Sequence, residues 1–393
     1  MSPIPRLQNQ GGPAFLSYGF RPFFLLGSIF GAAAIMAWLP EFFGEISIPT
    51  AFAPRDWHVH EMLFGFLPAV VTGFLLTAIP NWTGRLPLQG RPLLVLVLAW
   101  AAGRVAVSTS AWTSWAFAAA VDLSFLGLVA AAAAREVIAG KNWRNLRVVA
   151  IVVLLFAGNA AFHWEAHAYG SADYGLRTGI SAAVLLIALI GGRIVPSFTR
   201  NWLARRGPGR LPASFGRFDA VSLAGAVLAL AAWTVRPDSA VSGVLLAAAG
   251  LLQAARLARW AGDRTWADRL VVVLHVAYAF IPLGFLLMAA SAFGKLPTSA
   301  GVHAWTVGAV GLMTMAVMSR ASLGHTGRAL VASAPVQAVY ALIVAAGVAR
   351  ICAAVRPDAA VALLHVAGIA WALAFLGFSV SYWKVFTGPR FGR

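Results

Sequence analysis

The sequence predicts an all-α membrane protein: a polytopic bundle of about twelve transmembrane helices with both termini in the cytoplasm. Sixty per cent of the 393 residues are hydrophobic and only 11% are charged, whereas a soluble domain carries about 25% charged residues. Apolar runs of about 20 residues, the length that crosses the hydrocarbon core of a bilayer, recur along the chain. The basic residues cluster between these runs, as they do in the loops of membrane proteins.

Twelve apolar runs define the predicted spans, and no soluble domain interrupts them. They cover residues 22–40, 60–79, 92–108, 112–134, 147–163, 178–196, 219–235, 240–256, 269–291, 301–319, 333–350 and 359–384. The chain is therefore predicted to form a single transmembrane domain over residues 1–393, with the lipid bilayer as its solvent.

The distribution of the basic residues predicts the orientation. The net charge is +17, which alone would also fit a nucleic-acid-binding protein. However, the cations lie in loops rather than in a basic stripe with interleaved aromatic residues, so no nucleic-acid partner is expected. When the 30 Lys and Arg residues are assigned alternately to the two sides, most fall on the side of the N-terminus. Cytoplasmic loops carry such an excess, and this predicts cytoplasmic termini.

Three helix ends resemble one another. The second predicted helix ends in Pro80-Asn-Trp-Thr-Gly-Arg85, the sixth in Pro196-Ser-Phe-Thr-Arg200, and the tenth is followed by Thr326-Gly-Arg328. A recurrence at every fourth helix would suit three four-helix units, and chance similarity of membrane-exit sequences is the alternative.

Histidines near the starts of two spans are candidate ligands, because ionisable residues within a membrane are costly and usually functional. His58 and His60 open the second span, about 200° apart on an ideal helix, so one metal would take both only at an irregular turn. His303 opens the tenth span at the depth of His60. Two imidazoles from facing helices commonly hold a b-type haem, so His60 and His303 are predicted haem ligands. The single cysteine, Cys352, excludes covalent attachment through C-x-x-C-H. A water-exposed interfacial cluster is the alternative.

A second set of candidates lies near the opposite ends of the helices. His275 belongs to the ninth span, where a structural hydrogen bond to a neighbouring helix is the alternative role. His325 follows the tenth span, and a helix from His303 to His325 would be about 33 Å long, too long for both to bind one metal. The candidates therefore predict two sites. The alternatives for His325 are a pairing with His275, or the binding of an anion or a haem propionate together with Arg328 and Arg320.

Other ionisable residues are predicted to have structural roles. His163 and His167 share a helix face and are expected to form an exposed interfacial pair, with metal binding as the alternative. His365 is expected to pack in the core. Asp122 lies within the fourth span and needs a partner such as Arg104, or a proton.

Several runs of the sequence resemble the NnrS family, and they follow in order over nearly the whole chain. They are residues 18–24 (YGFRPFF), 57–62 (WHVHEM), 73–84 (GFLLTAIPNWTG), 198–202 (FTRNW), 275–280 (HVAYAF) and 321–328 (ASLGHTGR). One departure is Ala277, where the family pattern would have glycine, and this change removes no ligand.

The resemblance implies a multi-pass protein of the bacterial inner membrane that is linked to denitrification and nitrosative stress. It implies haem, b-type and non-covalent, and also copper, with His58, His60, His275, His303 and His325 as the ligand candidates. The expected partner is nitric oxide, which the protein would bind or reduce with electrons from an unknown donor, so whether it is an enzyme stays open. The alternatives are a secondary transporter of a metal or nitrogen species, and an assembly factor for a denitrification enzyme.

Overall fold

The computed structural model describes residues 12–390 and confirms the predicted all-α class, since helices and no strands occur in this part of the chain. Twelve of the helices are long and apolar enough to cross a membrane. In chain order they are α1 (Phe20–Phe42), α2 (Pro54–Thr83), α3 (Arg91–Ser108), α4 (Trp115–Ala139), α5 (Trp143–Tyr169), α6 (Tyr174–Leu203), α7 (Arg217–Val235), α8 (Ala240–Arg264), α9 (Arg269–Ala292), α10 (Thr298–His325), α11 (Ala334–Val355) and α12 (Pro357–Thr387).

Each predicted span corresponds to one of these helices, so the chain is a multi-pass membrane protein. The observed helices are longer than most of the apolar runs. For example, α2 begins at Pro54, six residues before the run that predicts it, because its first turns contain the charged residues Arg55 and Asp56 and are not part of the apolar run. The orientation of the termini stays a prediction, and Arg6 and Arg393, which contribute to the charge asymmetry, lie outside the described residues.

Local sequence explains where α2 and α4 begin and end. Pro54 occupies the first turn of α2, where its missing N–H costs no hydrogen bond. The helix ends at Gly84, whose φ of +73° is the left-handed conformation that favours glycine. At the start of α4 the side chain of Ser114 accepts a hydrogen bond from the backbone N–H of Phe117.

Three of the spanning helices contain a π-helical segment. These segments are Glu61–Phe66 in α2, Ile187–Gly191 in α6 and Ala304–Gly311 in α10. A π-helical turn changes the direction of the side chains that follow it, and such turns are frequent at functional sites. The same three helices carry the similar end sequences, and the division into three four-helix units stays a prediction.

The described chain forms two compact units. The first comprises residues 12–179, 321–329 and 375–390, and the second comprises residues 180–320 and 330–374. The first unit has a core rich in phenylalanine, which includes Phe23, Phe64 and Phe125. The core of the second unit includes the fully buried side chains of Trp233 and Trp305.

Candidate metal centre

A buried polar cluster lies in the first unit, where α2, α4 and α5 each contribute a side chain that can bind a metal. The three residues are His60, Asp122 and His163, which are 0%, 2% and 3% exposed. His60 Nε2 lies 3.2 Å from His163 Nε2 and 3.3 Å from Asp122 Oδ2. His163 Nε2 lies 3.1 Å from the same carboxylate oxygen, so the three atoms form a nearly equilateral triangle.

The size of this triangle suits one first-row transition-metal ion. Nitrogen and oxygen ligands bind such an ion at about 2.0–2.2 Å, which places two ligands of a tetrahedron about 3.3 Å apart. Two imidazoles and one carboxylate are also the donor set of the non-haem iron facial triad. An ion with four or more coordination positions that bound these three atoms would keep at least one position for another ligand.

The hydrogen-bond partners of His60 show that its Nε2 faces an electron-rich site. His60 Nδ1 lies 2.9 Å from Glu61 Oε1, and the Glu61 carboxylate can only accept, so the imidazole hydrogen belongs on Nδ1. The Nε2 lone pair then faces Asp122 Oδ2 and, at 3.0 Å, Asn159 Oδ1. Acceptors that converge in this way repel one another unless a hydrogen, such as one on His163 Nε2, or a metal cation lies among them.

Arg104 of α3 compensates part of the negative charge. Its guanidinium donates to Glu61 Oε1 at 2.5 Å and also donates to Asp122 Oδ1. With neutral imidazoles, two carboxylates and one guanidinium leave one net negative charge in a buried site. Because an uncompensated buried charge is costly, this environment favours a bound metal cation.

Glycines on the helices that meet here make room for the ion pair. A Cβ at Gly65 would lie 2.4 Å from Arg104 Nη1, a distance that no real contact of this kind tolerates. A Cβ at Gly103 would lie 3.0 Å from Asp122 Oδ1 and would push α3 and α4 apart. Gly65 therefore leaves room for the guanidinium, and Gly103 allows α3 and α4 to approach each other closely.

Aromatic rings surround the cluster and limit the access of water. The rings of Phe52, Phe64 and Phe162 lie 5.2, 5.6 and 5.5 Å from the His60 ring. Asn159 Nδ2 donates to Asp122 Oδ2 at 2.7 Å and fixes the direction of the carboxylate. A dry, rigid surrounding of this kind holds metal ligands in place.

A haem does not fit between His60 and His163. Axial imidazoles lie on opposite faces of the macrocycle, with the ring plane between them. Here the two Nε2 atoms converge at 3.2 Å on one carboxylate oxygen, and the imidazole planes meet at 69°. The cluster therefore fits a metal ion and not a haem iron.

Of the ligand candidates predicted from the sequence, only His60 lies in this cluster. His58 stacks on Trp38 instead, with ring centroids 4.1 Å apart, so the neighbouring histidines of α2 have different surroundings. His303 belongs to the second unit, where its Nδ1 donates to the Ser299 carbonyl oxygen at 2.7 Å. The pairing of His60 with His303 stays a prediction.

The candidates near the opposite helix ends contact protein groups. His275 Nε2 donates to Thr199 Oγ1 at 2.8 Å, since the Thr199 hydroxyl itself donates to a backbone carbonyl. His325 packs against the rings of Tyr18 and Phe20, with centroids 6.1 and 6.0 Å away. Arg328 donates to a carbonyl of α12 at 3.3 Å. Their ligand roles stay predictions.

Two sequence-based interpretations were wrong, and one is confirmed. His163 is buried rather than part of an exposed pair, because its face of α5 packs on α2 and α4; only His167 is exposed, stacked on Trp115. His365 is half-buried rather than a core residue. The expected ion pair of Asp122 with Arg104 is present.

The comparison with known proteins agrees with the motif resemblance. A family model described as "NnrS protein" matches residues 14–390 of this chain. No curated protein matches it.

Proposed function

This chain belongs to the NnrS family, and from that premise we propose that it is a membrane metalloprotein of the bacterial inner membrane that acts in nitric oxide metabolism or in resistance to nitrosative stress. The observation that carries the proposal is the buried triangle of His60 Nε2, His163 Nε2 and Asp122 Oδ2. The proposal assigns these three atoms as the protein ligands of one transition-metal ion.

The surroundings of the triangle support nitric oxide as the ligand. Nitric oxide is small and uncharged, so it can reach a site enclosed by membrane helices and phenylalanine rings that charged substrates would not enter. An iron or copper ion held by three protein ligands would offer open positions to it. Glu61 and Arg104 would keep the ligands oriented and balance their charge.

The residues of the cluster support copper, one of the two groups that the family resemblance implies, but not haem, the other. An imidazole-rich ligand set suits copper as well as iron, so the triangle fits the expected copper. The expected haem needs another place, because His60 and His163 do not leave room for a macrocycle. Haem at the other predicted histidines remains part of the proposal.

Metal analysis of the purified protein tests the metal site. His163→Ala and Asp122→Asn should each remove one metal ion per chain from the detergent-purified protein, as measured by inductively coupled plasma mass spectrometry. His167→Ala, on the same helix but exposed and stacked on Trp115, is the matched control and should keep the wild-type content. Equal metal in all four proteins would overturn the assignment.

Nitric oxide binding tests the functional half of the proposal. The reduced wild-type protein should change its electron paramagnetic resonance or optical spectrum when nitric oxide is added, and His163→Ala should lose the part of the change that belongs to this centre. A transporter or an assembly factor, the two alternative functions, would give no nitric oxide signal at these residues. Consumption of nitric oxide with an added electron donor would then separate an enzyme from a binding protein.

A further inference from the structure

Features of α2 recur in α10 in a fixed register. His60 and His303 are each followed at the next residue by a π-helical segment, which begins at Glu61 in α2 and at Ala304 in α10. At equal distances after each histidine come a glycine, Gly65 or Gly308, and then the sequence Thr-Gly-Arg. No insertion or deletion is needed to align the two helices.

The equivalent glycines also have equivalent roles. Gly84 and Gly327, in the two Thr-Gly-Arg sequences, both have a φ of +73°. Gly65 and Gly308 both lie where another helix approaches closely: a Cβ would be 2.4 Å from Arg104 Nη1 in the first case and 2.3 Å from Phe280 Cδ1 in the second. The register is therefore a property of the fold as well as of the sequence.

The same register continues through the next two helices. Pro92 and Pro335 are the second residues of α3 and α11, and they are equivalent. In α12 the residue equivalent to Asp122 of α4 is His365. Since Asp122 is the residue that meets His60, the repeat places His365 opposite His303.

The contacts of α10 with α12 support this placement. A Cβ at Gly311 would lie 2.6 Å from the Trp371 ring, so the two helices touch there. At an α-helical rise of about 1.5 Å per residue, His365 lies about 9 Å before Trp371. His303 lies eight residues before Gly311, which corresponds to less than about 12 Å because the residues between them are π-helical and rise less per residue. Consecutive spans cross a membrane in alternating directions, so α2 and α4 share one direction, as do α10 and α12, and the two histidines then lie at similar depth.

Hydrogen bonds fix the same tautomer in both histidines. His303 Nδ1 lies 2.7 Å from the Ser299 carbonyl oxygen, and His365 Nδ1 lies 2.8 Å from the Val361 carbonyl oxygen. A carbonyl oxygen only accepts, so each ring carries its hydrogen on Nδ1 and a lone pair on Nε2. Metal-binding histidines are commonly oriented in this way by a backbone carbonyl.

We infer that His303 and His365 form a second metal-binding site, in which two neutral imidazoles bind a transition metal, either as a copper ion or as haem iron. The charged groups of the first site are replaced here: Ala304 is equivalent to Glu61, and Gly347 to Arg104. The ligand set is therefore uncharged. Such a set suits copper and haem iron rather than Mg²⁺ or Ca²⁺.

Copper and haem titrations of the full-length protein in detergent test this inference. Copper with ascorbate, followed by desalting and mass-spectrometric metal analysis, measures the ion; hemin titration followed by the Soret band measures haem iron. His303→Ala and His365→Ala should each remove the same single equivalent, of copper or of haem, whereas His60→Ala should leave that equivalent in place. Loss of copper in these variants would identify a copper ion at the second site, and loss of the Soret band would identify haem iron.

Controls separate ligand loss from misfolding and from failure of the first site. His365→Met, which keeps a soft ligand, should retain copper better than His365→Ala if the ion is copper, and every variant should elute as a single species in size-exclusion chromatography. Wild-type loading of both copper and haem in His303→Ala and His365→Ala would overturn the second site. That result would leave the proposed function intact, since the proposed function depends on His163 and Asp122.

Discussion

The Nε2 atoms of His60 and His163 lie 3.2 Å apart, and both face Asp122 Oδ2. Two imidazole nitrogens that lie this close to each other, and 3.3 and 3.1 Å from one carboxylate oxygen, share either protons or a metal ion with it. Since His60 Nδ1 is directed at Glu61 Oε1, His60 presents a lone pair and not a hydrogen to the centre of the cluster. The first unit thus contains, within its aromatic core, a buried group of side chains that could bind a metal ion.

Arg104→Met is expected to destabilise the protein strongly. The substitution leaves the carboxylates of Glu61 and Asp122 without their buried cation, a change that costs about 3–5 kcal/mol in other proteins. Thermal unfolding in detergent measures the loss. Arg135→Met is the matched control, because Arg135 pairs with Glu136 at the surface with 69% of its side chain exposed, and its loss should cost less than about 1 kcal/mol. Equal unfolding temperatures for the two variants would contradict the assigned role of Arg104.

Gly65→Ala should lower both metal content and stability. The added Cβ would lie 2.4 Å from Arg104 Nη1 and would displace the guanidinium from the cluster. Gly127→Ala, in which the new Cβ meets only Phe156 at an ordinary 3.6 Å, should bind metal like the wild type. Metal analysis and thermal unfolding of both variants make the comparison, and a wild-type metal content in Gly65→Ala would show that the close approach is unimportant.

Glu61→Gln should weaken metal binding about 10–100-fold without unfolding the protein, since loss of a carboxylate that orients a ligating histidine has this effect elsewhere. Glu61 touches His60 Nδ1 and not the centre of the triangle, so it is a positioning residue. Competition with a metal chelator measures the affinity, and the visible spectrum of the cobalt-substituted protein reports whether the ligand geometry changes. Glu136→Gln, which changes a half-buried carboxylate that pairs with Arg85 and Arg135 outside the cluster, is the control; equal affinities in the two variants would exclude the positioning role.

Thr199→Val should destabilise the second unit without changing the metal at His60. It removes the acceptor of the buried His275 Nε2–H group, and an unsatisfied buried donor costs about 1–3 kcal/mol. Thermal unfolding and metal analysis of the same preparation measure the two quantities. If metal or haem content fell while stability did not, His275 would have the ligand role predicted from the sequence rather than a structural one.

The sequence was sufficient to predict the twelve helices, because an apolar run of membrane length has few other uses. For Asp122 the sequence left two alternatives, a partner such as Arg104 or a protonated carboxylate, and the structure shows the ion pair with Arg104. The role of His163 could not be predicted in the same way. Its spacing to His167 points to a local pair, whereas its true partners, His60 and Asp122, come from other helices and meet it only in the tertiary structure.

The π-helical segments have no local sequence signal that would have predicted them. Glu61–Phe66 has the sequence EMLFGF, whose residue types also occur within regular α-helices. The surroundings of His365 could not be predicted from the sequence either. It has no ionisable partner nearby in the sequence, so its half-buried position and its equivalence to Asp122 became visible only when the helix bounds and the π-helical segments fixed the register of the repeat.

X-ray absorption spectroscopy at the edge of the bound metal tests the central claim most directly. For the double variant His303→Ala, His365→Ala, in which the first centre is intact, the account predicts nitrogen and oxygen scatterers at about 2.0–2.2 Å, with the outer-shell features of two imidazoles from the His60 centre. His163→Ala should lose one imidazole, and His167→Ala should not. In these experiments the histidines His303 and His365 are replaced by alanine, so that only the first centre contributes. A spectrum without imidazole features, or one that His163→Ala leaves unchanged, would contradict the account.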